Sequence, residues 1–180
     1  ASTSQSNNTV SLNDYSAQTA IPNNSTFNTA ITSCLSEQPV TGRCTSYALS
    51  SGYGIMSNWN TSNVTDMTNA FKDTTFNGDI SNENTSNVTD MTNAFKDNSS
   101  FNQDLSAWNT SAVINMNSMF DGARAFNQDL SAWDTSSVTN MGLMFSGATS
   151  FAQDLSAWDT SSVTNMSSMF SGATSLTSIS

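Results

Sequence analysis

The strongest constraint on this chain is a repeat of 24 or 25 residues that runs through its last two thirds. Its most visible column comprises Trp59, Glu83, Trp108, Trp133 and Trp158. Each of these residues is followed by a valine after five residues, a methionine after eight and a phenylalanine after twelve. One copy of this length cannot bury its own apolar side chains, so successive copies must stack on one another. The apolar columns are therefore predicted to form the interior of the stack.

The spacing of apolar residues changes within one copy. Alternate side chains from Phe101 onward predict a short strand near Asp104–Trp108. The next apolar residues lie at helical spacing; they are Val113, Met116, Met119 and Phe120. Thr110 offers an N-cap hydroxyl for that helix, and Gly122 offers a C-cap. The pattern predicts an α/β fold, a right-handed solenoid of about five copies, each with a short parallel strand and a short helix.

Two regions follow from the distribution of the repeat. Residues 1–55 show no repeat and are predicted to form a Ser/Thr/Asn-rich arm and a cap, whereas residues 56–180 form the repeat region. Two interpretations of the first thirty residues stay open: a disordered tail, or an extended arm followed by a helical piece around residues 27–34 that covers the first copy. The apolar arm residues Val10, Leu12 and Tyr15 are candidates for assembly contacts.

The far end of the stack has no comparable cap. The fifth copy fades after Phe170 into Leu176 and Ile179, without the strand that a sixth copy would supply. An uncovered edge is a template for another chain, and head-to-tail docking there need not close into a ring. Leu176 and Ile179 are therefore predicted to take part in a homo-oligomer or filament, completed by the arm of a neighbouring copy.

Cys34 and Cys44 are the two cysteines of the chain, and they flank a segment with Pro39 and Gly42 that can turn back on itself. We expect them to form a disulfide, and the alternative is a pair of buried thiols. A zinc site from this pair is disfavoured because the chain has no histidine.

Composition excludes several classes of function. The net charge is −10, and the four basic residues are scattered, which disfavours nucleic acid and anionic membranes as partners. The absence of histidine removes the commonest general base and metal ligand, so neither an enzyme nor a cofactor is predicted. No apolar stretch approaches the roughly 18 residues of a membrane span. A polar start at Ala1 and a low charged fraction of 10% indicate a secreted or cell-surface chain.

Three polar patterns are candidates for a chemical role. A Thr-Ser pair follows each marker and is predicted to cap the helix start, with a water-ordering surface as the alternative. The acidic column Asp79, Asp104, Asp129 and Asp154 is predicted to form turns, and calcium binding stays open. Among ten Asn-x-Ser/Thr acceptors, the favoured glycosylation sites are Asn23, Asn63, Asn87 and Asn98.

The consensus of the copies is FNQDLSAWDTSSVTNMxxMFSGATS. This unit resembles the BspA-like surface repeats of about 25 residues, a leucine-rich-repeat-like family, and the resemblance covers residues 59–180. It implies a leucine-rich-repeat-like solenoid on an exported protein with a role in adhesion or surface architecture, and it implies no catalytic activity. Glu83 in place of tryptophan, a one-residue deletion after Phe71, and Ile114 in place of threonine predict irregular stacking in the first three copies.

The sequence thus favours a non-enzymatic, extracellular structural protein that self-associates head to tail into a filament. The alternative is a surface adhesin that binds a protein or a glycan. The oligomeric state distinguishes these two functions, because the structural protein is expected to form filaments and the adhesin to bind its ligand as a monomer.

Overall fold

The computed structural model describes residues 19–177. Within this range, regular helix occurs before the repeats: α1 spans Asn24–Glu37, α2 spans Thr45–Ser51, and a short 3-10 helix spans Met56–Asn58. From residue 59 to 177 the chain consists of turns, irregular segments and single-residue bridges.

The predicted α/β, leucine-rich-repeat-like solenoid is wrong. The described residues contain no sheet, and none of the copies has the predicted strand or the predicted helix. The fold class differs from the predicted one because the strand-like and helical spacings of apolar residues occur here in turns and irregular segments. The copies are mostly irregular coil.

Backbone conformation explains why the helix does not form. Ser118 lies in the middle of the predicted helix and has a φ of 53°, in the left-handed region that a right-handed helix cannot contain. The same column is left-handed in every copy, as Asn69, Asn93, Ser118, Leu143 and Ser168. Gly122 is not a helix C-cap either, because turns and not a helix precede it; its left-handed φ belongs to a second column that begins with Asp73 and Asp97.

Side-chain hydrogen bonds explain why the strand does not form. The Asp104 carboxylate accepts the backbone N–H of Ser106 at 2.8 Å, and the N–H of Trp108 donates to the carbonyl of Leu105 at 3.0 Å. Both bonds close turns and leave no extended segment for a strand.

The copies nevertheless lie on one another in order. Parallel bridges join one residue of each copy to the next, through Asp66, Asp90, Asn115, Asn140 and Asn165. Rows of N–H groups also bind carbonyls of the following copy; the N–H of Phe95, for example, donates to Met119 at 2.8 Å. Irregular stacking is predicted for the copies that carry Glu83, the one-residue deletion and Ile114. The backbone hydrogen bonds and bridges between these copies are nevertheless uninterrupted.

The interior of this repeat stack, residues 59–177, is made of aromatic, methionine and valine side chains. One phenylalanine ladder has centroid separations of 5.3 to 5.8 Å between successive rings; it contains Phe71, Phe95, Phe120, Phe145 and Phe170. A second ladder contains Phe76, Phe101, Phe126 and Phe151, and it packs against the first at 4.0 to 4.5 Å. Such offset rings add to the free energy gained by burying apolar area.

The region before the stack is held by one covalent bond and one charged cap. Cys34 of α1 and Cys44 form a disulfide with a Cα–Cα separation of 4.9 Å. The Glu37 carboxylate accepts the N–H groups of Ser46 and Tyr47 at 3.0 and 3.1 Å, where α2 begins. The hydrogen bond from Ser46 is the largest cause of a lowered pKa at Glu37. No helix within residues 19–177 is long and apolar enough to cross a membrane.

Candidate functional site

Neighbouring copies contact each other through a row of backbone hydrogen bonds, and this row shows which groups a copy offers to a partner. Met141, Leu143, Phe145 and Gly147 donate their backbone N–H groups to carbonyls of the last copy at 2.7 to 2.9 Å. The spacing of two residues between donors is that of a parallel ladder, although regular strands are absent from the described copies. Each copy therefore presents a row of N–H donors to the copy that follows it.

Two side-chain bonds reinforce this row. The Thr135 hydroxyl donates to the Asp159 carbonyl of the following copy at 2.9 Å, and Thr61, Thr85 and Thr110 each donate to the equivalent carbonyl of the copy that follows them. These four threonines are buried, so they are neither the predicted helix caps nor an exposed water-ordering surface. The Trp158 indole N–H donates to the Leu130 carbonyl at 2.9 Å, and Trp108 and Trp133 repeat this bond.

The last copy presents the same row without a neighbour. The N–H groups of Met166, Ser168, Phe170 and Gly172 occupy the four donor positions, and none of them has an acceptor within residues 19–177. We call these four residues, with the apolar groove beside them, the open face. It offers a partner the backbone groups that the preceding copies use to bind one another.

An apolar groove of about 250 Å³ lies beside these donors. Its lining includes Leu155, Trp158, Met166, Met169 and Phe170. Met166 is 43% exposed, whereas the four methionines that precede it in the same column are at most 2% exposed. The open face therefore combines unpaired donors with apolar side chains that are buried in every earlier copy.

The opposite end of the stack is covered by the chain itself. Ala20 forms a parallel bridge with Asn60, and the N–H of Ile21 donates to the Asn60 carbonyl at 2.9 Å. The Asn24 side chain accepts the N–H of Thr65 at 2.9 Å and donates to the Thr65 hydroxyl at 3.0 Å. The two ends thus differ: one is covered and the other is exposed.

The predicted assembly residues lie mostly outside the described range. Val10, Leu12, Tyr15 and Ile179 are outside residues 19–177. Leu176 is described and is half-buried, and its N–H donates to the Ala173 carbonyl at 3.2 Å. Its contribution to an assembly remains a prediction.

The acidic column forms turns. Asp79, Asp104, Asp129 and Asp154 each accept the backbone N–H of a serine two residues later, at 2.8 to 3.0 Å. That hydrogen bond is the largest cause of a lowered pKa at Asp104, Asp129 and Asp154. Within residues 19–177, no group of three or more His, Cys, Asp or Glu side chains could hold a metal ion. Calcium binding by this column gains no support from the geometry.

The four predicted glycosylation sites differ in access. Asn23 is exposed, and its side chain caps α1 by accepting the N–H of Thr26 at 2.9 Å. Asn63 and Asn87 are also exposed, although their amide groups donate to the Ile21 and Ser62 carbonyls. Asn98 is fully buried and donates to the Phe76 carbonyl at 2.8 Å, so the folded stack leaves no room for a glycan there.

Sequence reasoning missed two further asparagine and aspartate turn columns and one ladder. In each copy, an Asx side chain two residues before a Ser, Thr, Asn or Gly accepts its N–H; Asp134 with Ser136 and Asn140 with Gly142 are examples, at 3.0 Å each. The signal was visible as Asx-x-Ser/Thr, which also explains why glycosylation-like triplets are so frequent. Asn77, Asn102 and Asn127 form the ladder, each accepting an N–H from the next copy.

Glu83 is a second unusual site. It occupies the tryptophan column but carries a carboxyl group, and only 8% of it is exposed. Neither carboxylate oxygen has a hydrogen-bond partner among the described residues. Burial raises the pKa of Glu83 to about 8, and the charge of Asp79 adds to the rise while the nearby Thr61 hydroxyl offsets part of it.

This geometry defines a repeat protein whose copies bind one another through backbone hydrogen bonds and stacked rings. The chain belongs to the family described as Mycoplasma protein of unknown function, DUF285, which matches residues 45–135 and 107–179. No curated protein and no solved structure matches it. The family description names no activity, so the chemistry of the open face and of the grooves is the guide to function.

Proposed function

We propose that this protein is a non-enzymatic structural protein of the cell exterior that self-associates head to tail into a filament. The observation that carries the proposal is the open face, where four N–H donors and an apolar groove of about 250 Å³ lie together. An extended segment with alternating apolar side chains satisfies both features at once.

The proposed occupant is the arm of a second copy, residues 1–18. Val10 and Leu12 alternate with polar residues, as a segment must when one side faces a groove and the other faces solvent. The arm leads directly into Ala20 and Ile21, which cover the first copy of their own stack. An arm on the open face of a neighbour would therefore place the two stacks end to end.

Two further observations support an exterior location. The chain has a disulfide between Cys34 and Cys44, a bond that persists in oxidising compartments. Residues 59–180 resemble BspA-like surface repeats, a finer relationship than the family match itself gives. From the disulfide and the resemblance together, we infer that the protein is secreted or lies on the cell surface.

A charge substitution in the groove tests the proposal. Met166→Lys places a cation in the apolar groove, and Ile114→Lys is the matched control because Ile114 is 50% exposed on a copy that has neighbours on both sides. Sedimentation velocity and negative-stain microscopy at rising protein concentration should show filaments for the wild type and for Ile114→Lys. Met166→Lys and a variant without residues 1–18 should remain monomeric.

Two results would contradict the proposal. One is a wild type that stays monomeric at all concentrations and ionic strengths, including high salt, where the repulsion between chains of net charge −10 is screened. The other is Met166→Lys assembling as the wild type does.

The second candidate function is adhesion, and a groove that includes charged and amide-bearing residues favours it. This groove has a volume of about 510 Å³ and lies where the disulfide loop meets the first copy. Its lining combines Arg43 and Asp79 with the side chains of Thr41, Asn58 and Asn77. Charged and amide groups of this kind hydrogen-bond glycans and peptides. Glycan binding by the monomer that is lost in Arg43→Ala would favour adhesion over self-association.

A further inference from the structure

The tryptophan column is interrupted once, at Glu83, in a place where two parts of the protein meet. The side chain borders a cavity of about 10 Å³ that is also lined by Phe27 of α1, by Met56 and Trp59 before the stack, and by Met67 and Trp108 within it. Trp59 packs edge-on against Phe27 with centroids 6.2 Å apart. The carboxyl group therefore lies under α1, in the junction between the covered end and the stack.

A neutral carboxylic acid fits this environment better than a carboxylate does. The groups around the cavity come from α1, the 3-10 helix and three copies, and none of them is titratable. Asp79 is the charged group whose field reaches Glu83, and it repels a carboxylate. The Thr61 hydroxyl donates its hydrogen bond to the Asn84 carbonyl at 3.1 Å, which leaves both Glu83 oxygens without a partner.

Ionisation is strongly disfavoured while the junction is closed. A cavity of about 10 Å³ is at the lower limit of the space that one water molecule needs. Hydration of a carboxylate needs several water molecules, and a buried charge without a partner is strongly unfavourable. The charged form of Glu83 is therefore more stable when the packing around it separates.

We propose that Glu83 is a proton-operated latch that keeps α1 closed on the repeat stack while it is protonated and lets the junction open when it ionises. The opening separates Phe27 from Trp59 and exposes the carboxylate to water. The stack beyond the third copy stays intact, because its contacts do not involve Glu83. The latch does not depend on self-association and operates in a single chain.

The direction of the pH effect follows from proton linkage. An open junction gives Glu83 its ordinary pKa, 4.5, whereas the closed junction raises the pKa to about 8. Between these values the closed form holds one proton more than the open form, so the junction is most stable at acid pH and weakens as pH rises. One proton corresponds to a tenfold change in the opening equilibrium per pH unit, and the change levels off above about pH 8.

The chain is well suited to this measurement because few of its groups titrate in the same range. It has no histidine, and both cysteines are in the disulfide. Burial raises the pKa of Tyr47, which moves that group further from neutrality. Apart from the α-amino group, pH changes between 5 and 9 therefore act on Glu83.

Hydrogen exchange of the full-length protein from pH 5 to pH 9, corrected for intrinsic rates, tests the latch. Protection of the α1 amides should fall about tenfold per pH unit up to about pH 8 in the wild type. It should be independent of pH in Glu83→Gln. Glu37→Gln is the matched control, because it changes the other glutamate of the chain and should retain the wild-type slope. Amides of residues 133–170 should not respond in any variant.

Three results would overturn the proposal. One is a wild-type α1 protection that is independent of pH. Another is the same slope in Glu83→Gln as in the wild type. The third is an equal loss of protection in residues 133–170, which would mean that the whole stack unfolds rather than the junction. If Glu83→Gln does not fold, Glu83→Leu replaces it, and the wild-type slope remains a readout on its own.

Discussion

The two ends of the repeat stack differ in how their backbone groups and apolar side chains are covered. At the first copy, residues 20–24 occupy the exposed backbone groups, and α1 covers the aromatic interior through Phe27. At the last copy, Met166 and the donors around it have no such cover within the described chain. Similar copies thus present different surfaces according to what lies beside them. The difference teaches that binding capacity here is a property of position in the stack and not of any special residue.

The largest effect should come from comparing a ring inside the stack with its equivalent at the open face. Phe120 is fully buried and contacts Phe95, Phe126 and Phe145 at 4.0 to 5.6 Å, whereas Phe170 contacts Phe145 alone at 5.8 Å among the rings described. Phe120→Ala should lower the free energy of unfolding by about 3–5 kcal/mol. Phe170→Ala should lower it by less than about half as much, since part of that side chain already meets solvent. Urea denaturation measures both, and equal losses would mean that the last copy is covered in solution.

Reduction of the disulfide should have the next largest effect and should act on the covered end. Cys34 and Cys44 are ten residues apart, and closing a loop of this size stabilises the folded state by roughly 3 kcal/mol in the chain-entropy estimate. A reductant should therefore expose residues 24–51 to proteolysis while residues 133–170 stay protected. The Cys34→Ser, Cys44→Ser double variant should show the same pattern without reductant. Uniform cleavage along the chain would show that the two ends are not independent.

A smaller effect is expected from the asparagine that covers the first copy. Asn24→Ala removes an acceptor for the N–H groups of Thr65 and Asp66, and should cost about 1 kcal/mol because the site is partly exposed. Asn28→Ala is the matched control on α1; its side chain makes no hydrogen bond in the described contacts, and alanine favours helix. The melting temperature of Asn24→Ala should therefore fall further than that of Asn28→Ala in thermal unfolding. A loss in Asn28→Ala as large as in Asn24→Ala would assign the effect to the helix and not to the cover.

Sequence reasoning predicted the burial of the apolar columns but not the path of the backbone between them. Val113, Met116 and Phe120 are all fully buried, which follows from their recurrence alone. The left-handed φ of Ser118 between them leaves no trace in residue type, because the same position is asparagine, serine or leucine in other copies. Hydrophobic spacing therefore identified which residues face inward, while local turn geometry decided the fold class.

The candidate sites were predictable to different degrees. The row of donors on each copy could be anticipated, since stacked repeats bind their neighbours through equivalent groups. The buried state of Glu83 was implied by its place in the tryptophan column, although its lack of a partner depends on the direction of the Thr61 hydroxyl and on the packing of Phe27. The groove at Arg43 joins segments far apart in the sequence and could not be predicted from either segment alone.

The Asx turns have one more consequence, for how such chains change in length. Asp104, Asn109 and Asn115 each close a turn within their own copy, so these turns do not depend on hydrogen bonds from the neighbouring copies, although the apolar interior does depend on stacking. A duplicated or deleted segment of 25 residues would therefore leave every remaining turn intact and would expose the same row of donors at the new end. The number of copies and the backbone row that a copy presents to the next are therefore set independently of each other.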